Sequence, residues 1–241
     1  MRQVSIGLAL LAAFSLAATP LLAYQEGPVA NGGSITGMVK FAGAIPAPKK
    51  LPVTKDKEVC GADKLSEELL VNKDNKGLKF AVVSLMDVKA GKAWPKPTAK
   101  PAVDQKGCAF IPHVLLLDPN GTVDILNSDG ILHNVHTYSL ANPPINKAQP
   151  KTKKVLTEKF PKAEIIKVTC DAHKWMTAWL VTPDSPYYMV TDANGNFKLE
   201  DVPPGKYKVQ VWHELLGKQT QEVTVGPKAE AKVSFELAPK K

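Results

Sequence analysis

A thiol, an imidazole and a thioether fall within seven residues in the run Cys170-Asp171-Ala172-His173-Lys174-Trp175-Met176. Side chains along a regular strand alternate between its two faces. The three donors can therefore meet at one point only from a loop at a strand end, and such a loop needs an anchor. A second imidazole is offered by Asn127-Ser128-Asp129-Gly130-Ile131-Leu132-His133-Asn134-Val135-His136, which follows an apolar strand, turns at Ser-Asp-Gly and resumes an alternating pattern. His133 is its first candidate. Two histidines and a cysteine around one ion, with a long and weak methionine contact, favour copper, because soft sulfur suits Cu(I) while imidazole tolerates both oxidation states.

The rest of the chain reads as all-β. Its 20 prolines and 16 glycines punctuate short runs rich in Val, Ile and Leu, which suits strands and turns better than helical bundles. Residues 33–41 alternate like a half-buried strand and lead into a turn at Gly43-Ala44-Ile45-Pro46. Residues 78–88 read as a strand buried on both faces, and residues 91–106 as a proline- and lysine-rich connector. Phe110-Ile111-Pro112-His113 and the apolar run 114–117 follow Cys108. Residues 141–163 form a basic, proline-bearing connection between the first ligand strand and the strand ending at Cys170, either a docking flap or a solvated linker.

The pattern Asn-x-Asp-x-x-x-His-Asn-Val, about 35 further residues, and then Cys-x-x-His-x-x-Met resembles the cupredoxin family over roughly residues 108–183. The amicyanin-like members are most similar, sharing the His-Asn-Val-His run, the short ligand loop and a phenylalanine at the position of Phe160. The resemblance implies a Greek-key cupredoxin β-sandwich holding one type 1 copper. His133, Cys170 and His173 would be its equatorial ligands and Met176 its axial one. Asn134 would tie the first ligand strand to the cysteine loop, and a surface-exposed edge of His173 would be the electron port. Glu164, Ile166 and Val168 stand where the family usually has a glycine and two tyrosines, and Lys174 where the loop has a proline.

A second resemblance lies downstream. The run Thr191-Asp192-x-x-Gly195-x-Phe197 and then Pro203-Pro204-Gly205-x-Tyr207 is similar to the carboxypeptidase regulatory-like, prealbumin-type β-sandwich module. That module normally begins with a Gly-x-Val strand and a second strand, which residues 33–41 and 78–88 can supply. The copper domain, 103–183, then reads as inserted into a discontinuous module of residues 33–92 plus 187–241. In the alternative division, residues 78–88 belong to the copper domain.

Of the three cysteines, Cys170 is wanted as thiolate, which leaves Cys60 and Cys108 to form a disulfide in an oxidising compartment. Pairing of Cys170 with either of them would destroy the copper reading. Residues 1–23 carry only Arg2 before an apolar run and read as a secretory signal peptide, or as a membrane anchor if uncleaved. The expected location is periplasmic or secreted. The formal charge of +8 suggests a redox partner with an acidic surface, for example a c-type cytochrome, an oxidase or a dehydrogenase. It does not suggest nucleic acid, since no basic stripe is interleaved with aromatics.

The remaining histidines are weaker candidates. His136 lies three residues after His133 and faces the other way on a strand, while His113 and His213 read as packed strand residues. Asp192-x-Asn194-x-Asn196 mimics the start of a calcium loop, but Gly195 is misplaced and Pro203 stands where the closing glutamate belongs, so it reads as a turn. No Ser-His-Asp set, phosphate loop or paired carboxylate is visible in usable context. The expected function is a one-electron carrier and not an enzyme. The alternatives are copper delivery or sequestration, and a non-redox cell-surface interaction module.

Overall fold

The computed structural model describes residues 24–119 and 121–239, so the segment read as a signal peptide lies outside the described residues. Almost everything described is strand, turn or extended chain, and the one α-helix among the described residues is the single turn Lys57–Cys60. The strands form two sandwiches.

In the first, Tyr188–Val190, Val82–Met86, Gly205–His213 and Gly217–Val225 make one sheet in that order. Asn196–Val202, Gly33–Phe41 and Glu230–Lys232 make the other, with Phe235–Leu237 also paired to Gly33–Phe41. Alternation along Gly33–Phe41 turns Ile35, Val39 and Phe41 inward, where they join Val83, Leu85, Phe197, Val209 and Phe235 in one core. Gly37 on that strand has to be glycine: a Cβ there would lie 1.7 Å from the Val233 carbonyl oxygen.

The second sandwich is built from residues 102–182. One sheet runs Val155–Glu158, Val123–Asn127, Ala102–Gln105, Phe110–Ile111. The other runs Asn146–Gln149, His133–Tyr138, Glu164–Thr169, Thr177–Thr182, Val114–Leu116. Val103, Ile125, Val135, Phe160, Ile166, Val168 and Leu180 fill the space between them. The first sandwich has strands from both before and after this stretch, and they pair with each other: Val82–Met86 with Gly205–His213, and Gly33–Phe41 with Asn196–Val202. The second sandwich is thus inserted in the first. The two meet around Val82, Val114 and Val181, with Trp179 edge-on to Trp212 at 4.8 Å between ring centroids.

Three segments differ from the sequence reading. The strand expected over residues 78–88 is Val82–Met86, because Phe80 and Asp87 take left-handed backbone angles (φ 65° and 58°) that end it on both sides. The expected connector 91–106 ends in a true strand, Ala102–Gln105, whose Val103 is in the core. The basic connection 141–163 also contains two strands, Asn146–Gln149 paired to His133–Tyr138 and Val155–Glu158 paired to Val123–Asn127.

Candidate metal centre

His133 opens the strand His133–Tyr138, and the turn before it is tightly held. The Asn127 side-chain amide donates to the Ile131 carbonyl at 2.8 Å and to the Gln149 carbonyl at 3.0 Å, while Gly130 supplies a left-handed bend (φ 71°). Cys170 follows the strand Glu164–Thr169, and Met176 precedes Thr177–Thr182, so the ligand loop links two paired strands. Within it, the Met176 amide donates to the His173 carbonyl at 2.9 Å and the Cys170 amide to the Met176 carbonyl at 3.3 Å. These bonds turn the chain sharply enough to bring residues 170 and 173 round to one side.

Three of the expected ligands converge. Nδ1 of His133 lies 3.0 Å from Nδ1 of His173, and Sγ of Cys170 is 3.8 Å from each. The residues are sealed from solvent: His133 and His173 are 0% exposed, Cys170 and Met176 1%. The Asn134 backbone amide donates to the Cys170 sulfur at 3.3 Å, its side-chain oxygen accepts from the Asp171 amide at 3.1 Å, and its amide nitrogen donates to Asn146 at 2.6 Å. Asn134 therefore ties the first ligand strand to the cysteine loop. Burial pushes the Cys170 thiol up, partly offset by the amide bonds to its sulfur, and burial lowers His133 despite the Asp129 carboxylate.

Each imidazole has a carboxylate on its far side. Nε2 of His133 is 2.8 Å from Asp129, whose oxygens also accept from the Gly107 and Cys108 amides. Nε2 of His173 is 2.8 Å from Asp56. A neutral imidazole has a single N–H, and a carboxylate at Nε2 claims it. Two bare Nδ1 lone pairs are then left facing one another 3.0 Å apart beside a sulfur. A shared proton or a metal ion among the donors relieves their repulsion, and carboxylate-anchored histidines are the usual partners of a bound metal. The residues present fit a soft, nitrogen- and sulfur-preferring ion.

Asp56 arrives from an excursion of the first sandwich. Lys50–Leu51 pairs with Lys64–Leu65, the helix Lys57–Cys60 sits between them, and the Cys60–Cys108 disulfide pins it against the second sandwich. This corrects the expected electron port: His173 has no surface-exposed edge, because Asp56 closes it. Cys60, Cys108 and His173 lie near one another, but the two cysteines are joined and offer no thiolate. Asp129 was visible as the acid of the Asn-x-Asp pattern, whereas Asp56 carried no sequence signal.

The other histidines do not reach the cluster. His136 bonds Asp171 at 3.1 Å and stacks on Tyr138. His113 is buried between the sandwiches with Nε2 on the Glu214 carboxylate; burial alone would lower it, but the bond and charge of Glu214 outweigh that and raise it. His213, also buried, is lowered to about 4 by desolvation. Asp192 accepts from the Asn194 and Asn196 amides, both at 2.8 Å, and makes the turn expected in place of a calcium loop.

Residues 179–238 match the carboxypeptidase regulatory-like domain family. That stretch runs from the last strand of the inserted sandwich through the strands that complete the first, and most of the regulatory-like domain lies in the latter. No curated protein matches the chain. Partial likenesses exist among solved structures. A copper-containing nitrite reductase from Thermus scotoductus SA-01 is 18% identical at a TM-score of 0.33, over 39% of this chain, which spans only 24% of the reductase. A purple cupredoxin from Nitrosopumilus maritimus is 17% identical at 0.30, over 34% of this chain and 99% of its own. Amicyanin from Paracoccus versutus is 15% identical at 0.31, over 36% and 84%. Overlaps this slight carry no weight, and the case for a metal rests on the side chains themselves.

Proposed function

We propose that the chain is a type 1 copper protein acting as a one-electron carrier. The observation that carries this reading is the convergence of the His133, Cys170 and His173 donor atoms in a site closed to solvent. Met176, at the end of the same loop, is the fourth ligand. Copper bound there would supply the Cu(I)/Cu(II) couple, with soft sulfur favouring the reduced state and imidazole serving both.

The protein's part is to keep the donors still. Asp129 and Asp56 fix the two rings and their tautomers, the Asn134 amide holds the sulfur, and the ligand loop is closed by its own backbone bonds. Donors held in this way change position little between oxidation states, which is what rapid electron transfer needs. The same enclosure speaks against delivery or sequestration, since an exchangeable metal needs donors that a recipient can reach. With four protein ligands the site has no open position for substrate, so we read the chain as a carrier and not an enzyme.

A Cys60–Cys108 disulfide suits an oxidising compartment, and with residues 1–23 read as a signal peptide it supports a periplasmic or secreted location. Lys151, Lys153, Lys154, Lys159 and Lys162 are exposed, and such lysines suit a redox partner with an acidic surface, such as a c-type cytochrome. Cys170→Ser tests the reading: the copper-loaded variant loses the intense sulfur-to-copper absorption while the strand content by circular dichroism is retained. Colour that persists in the variant would refute the ligand assignment.

A further inference from the structure

We propose that the electron route of this site ends at Trp175, in a cavity that takes a small planar aromatic donor of the hydroquinone class. Two observations close the obvious routes and leave this one. Both ligand imidazoles are wholly buried, and the far edge of each is covered by a carboxylate. Trp175, by contrast, is half-buried, its ring packs on that of His173 at 5.1 Å between centroids, and its indole N–H donates to the Cys108 carbonyl at 3.1 Å. A fixed, partly exposed aromatic ring is thus in contact with a ligand.

Trp175 and Met176 line a cavity of about 550 Å³ on this side, whose other walls include Leu65, Phe80, Phe110 and Ile111. The volume is in the range of small-molecule sites, as is a lining of aromatic and aliphatic side chains with a few polar groups at the edge. Phe80, Phe110 and the Trp175 indole give the cavity an aromatic lining. Among the other lining residues, Lys79 and Glu67 can hydrogen-bond to the hydroxyls of a bound ring, while Lys64 and Ser66 are engaged with the Cys60 carbonyl and Glu68. Leu65 and Ile111 are held 60% and 51% exposed beside it, an apolar surface that a bound ring would cover. His113 also borders the cavity, but its Nε2 is committed to Glu214, so the hydroxyl protons pass to water.

The stoichiometry is fixed by the one-electron site. Two copies of the oxidised protein each take one electron, both hydroxyl O–H bonds break, two protons enter solvent, and the ring leaves as the quinone. The redox part of this inference rests on the copper reading; the binding part does not.

The test therefore begins with copper-free protein, titrated with 2,3-dimethyl-1,4-naphthoquinone and followed by calorimetry and tryptophan fluorescence. Saturable binding is expected, weakened at least tenfold in Ile111→Asp and in Leu65→Asp, both at exposed positions. The copper-loaded protein is then reduced by the corresponding hydroquinone, at least tenfold more slowly in the two variants. Absence of saturable binding, or equal affinity in both variants, overturns the inference even if the copper site is coloured. Binding that persists in a protein unable to form the coloured site upholds the cavity as an aromatic site and removes the copper reading alone.

Discussion

At the scale of single residues, the distinctive feature is a pair of carboxylates set behind a pair of imidazoles. Asp129 sits four residues before the histidine it holds, whereas Asp56 reaches across 117 residues. Removing it leaves a buried N–H without its acceptor and frees the ring to turn. Asp56→Ala is therefore expected to lower copper affinity about 10–100-fold, as loss of such an outer partner commonly does. Competition against a chelator of known affinity measures it, and unchanged affinity would show that Asp56 does not position His173. The candidates within the loop could be picked out because a loop sets its side chains locally, at spacings of three and six residues, and the structure brings Cys170 and His173 together with His133. Asp56 could not be, since its role depends on a fold-level approach that no local spacing records.

At the scale of elements, the strand leading to the ligand loop is anchored at its start by Glu164. Burial works against its charge, but Ser139, the Leu140 and Ala141 amides and Asn142 all donate to the carboxylate and hold it at about 2. A carboxylate depressed from its ordinary value stabilises the fold above about pH 4.5, and that contribution is lost as pH falls toward 2. Glu164→Gln should accordingly be less stable at pH 7 and show a flatter decline in stability between those limits. An acid limb identical to the parent's would contradict the anchoring. Strands with strong alternation, such as Gly33–Phe41, were readable directly. The strand Asn146–Gln149 was not: only Gln149 is buried, and it bonds Gln105 at 2.6 Å, so polar pairing replaces the apolar pattern that marks a strand. Val82–Met86 was overextended in the sequence reading because nothing in the apolar run announces the left-handed Phe80.

At the scale of the whole molecule, one sandwich is inserted in another, and an excursion of the outer one closes over the His133–Cys170–His173 cluster of the inner one. The Cys60–Cys108 bond spans 48 residues and joins the two parts of the chain. In the chain-entropy view such a loop contributes about 4 kcal/mol. The double variant Cys60→Ser with Cys108→Ser should lose about that much stability to denaturant, while keeping the copper colour expected of the proposed site, because Cys170 is left in place. Loss of the colour with the fold intact would show that the excursion is needed to assemble the donors and not only to cover them. The insertion was legible because the regulatory-like motif lacks its first strands downstream and suitable ones lie upstream. The closure was not, because it is a contact between sandwiches.

We have proposed that His133, Cys170, His173 and Met176 hold one copper for electron transfer. Titration of the metal-free protein with copper, read by visible absorption and electron paramagnetic resonance, tests this assignment. One equivalent should produce an intense visible band and a small copper hyperfine splitting, with no further change beyond it. A pale Cu(II) spectrum with ordinary splitting, or weak and freely exchangeable binding, would exclude a type 1 copper held by these residues.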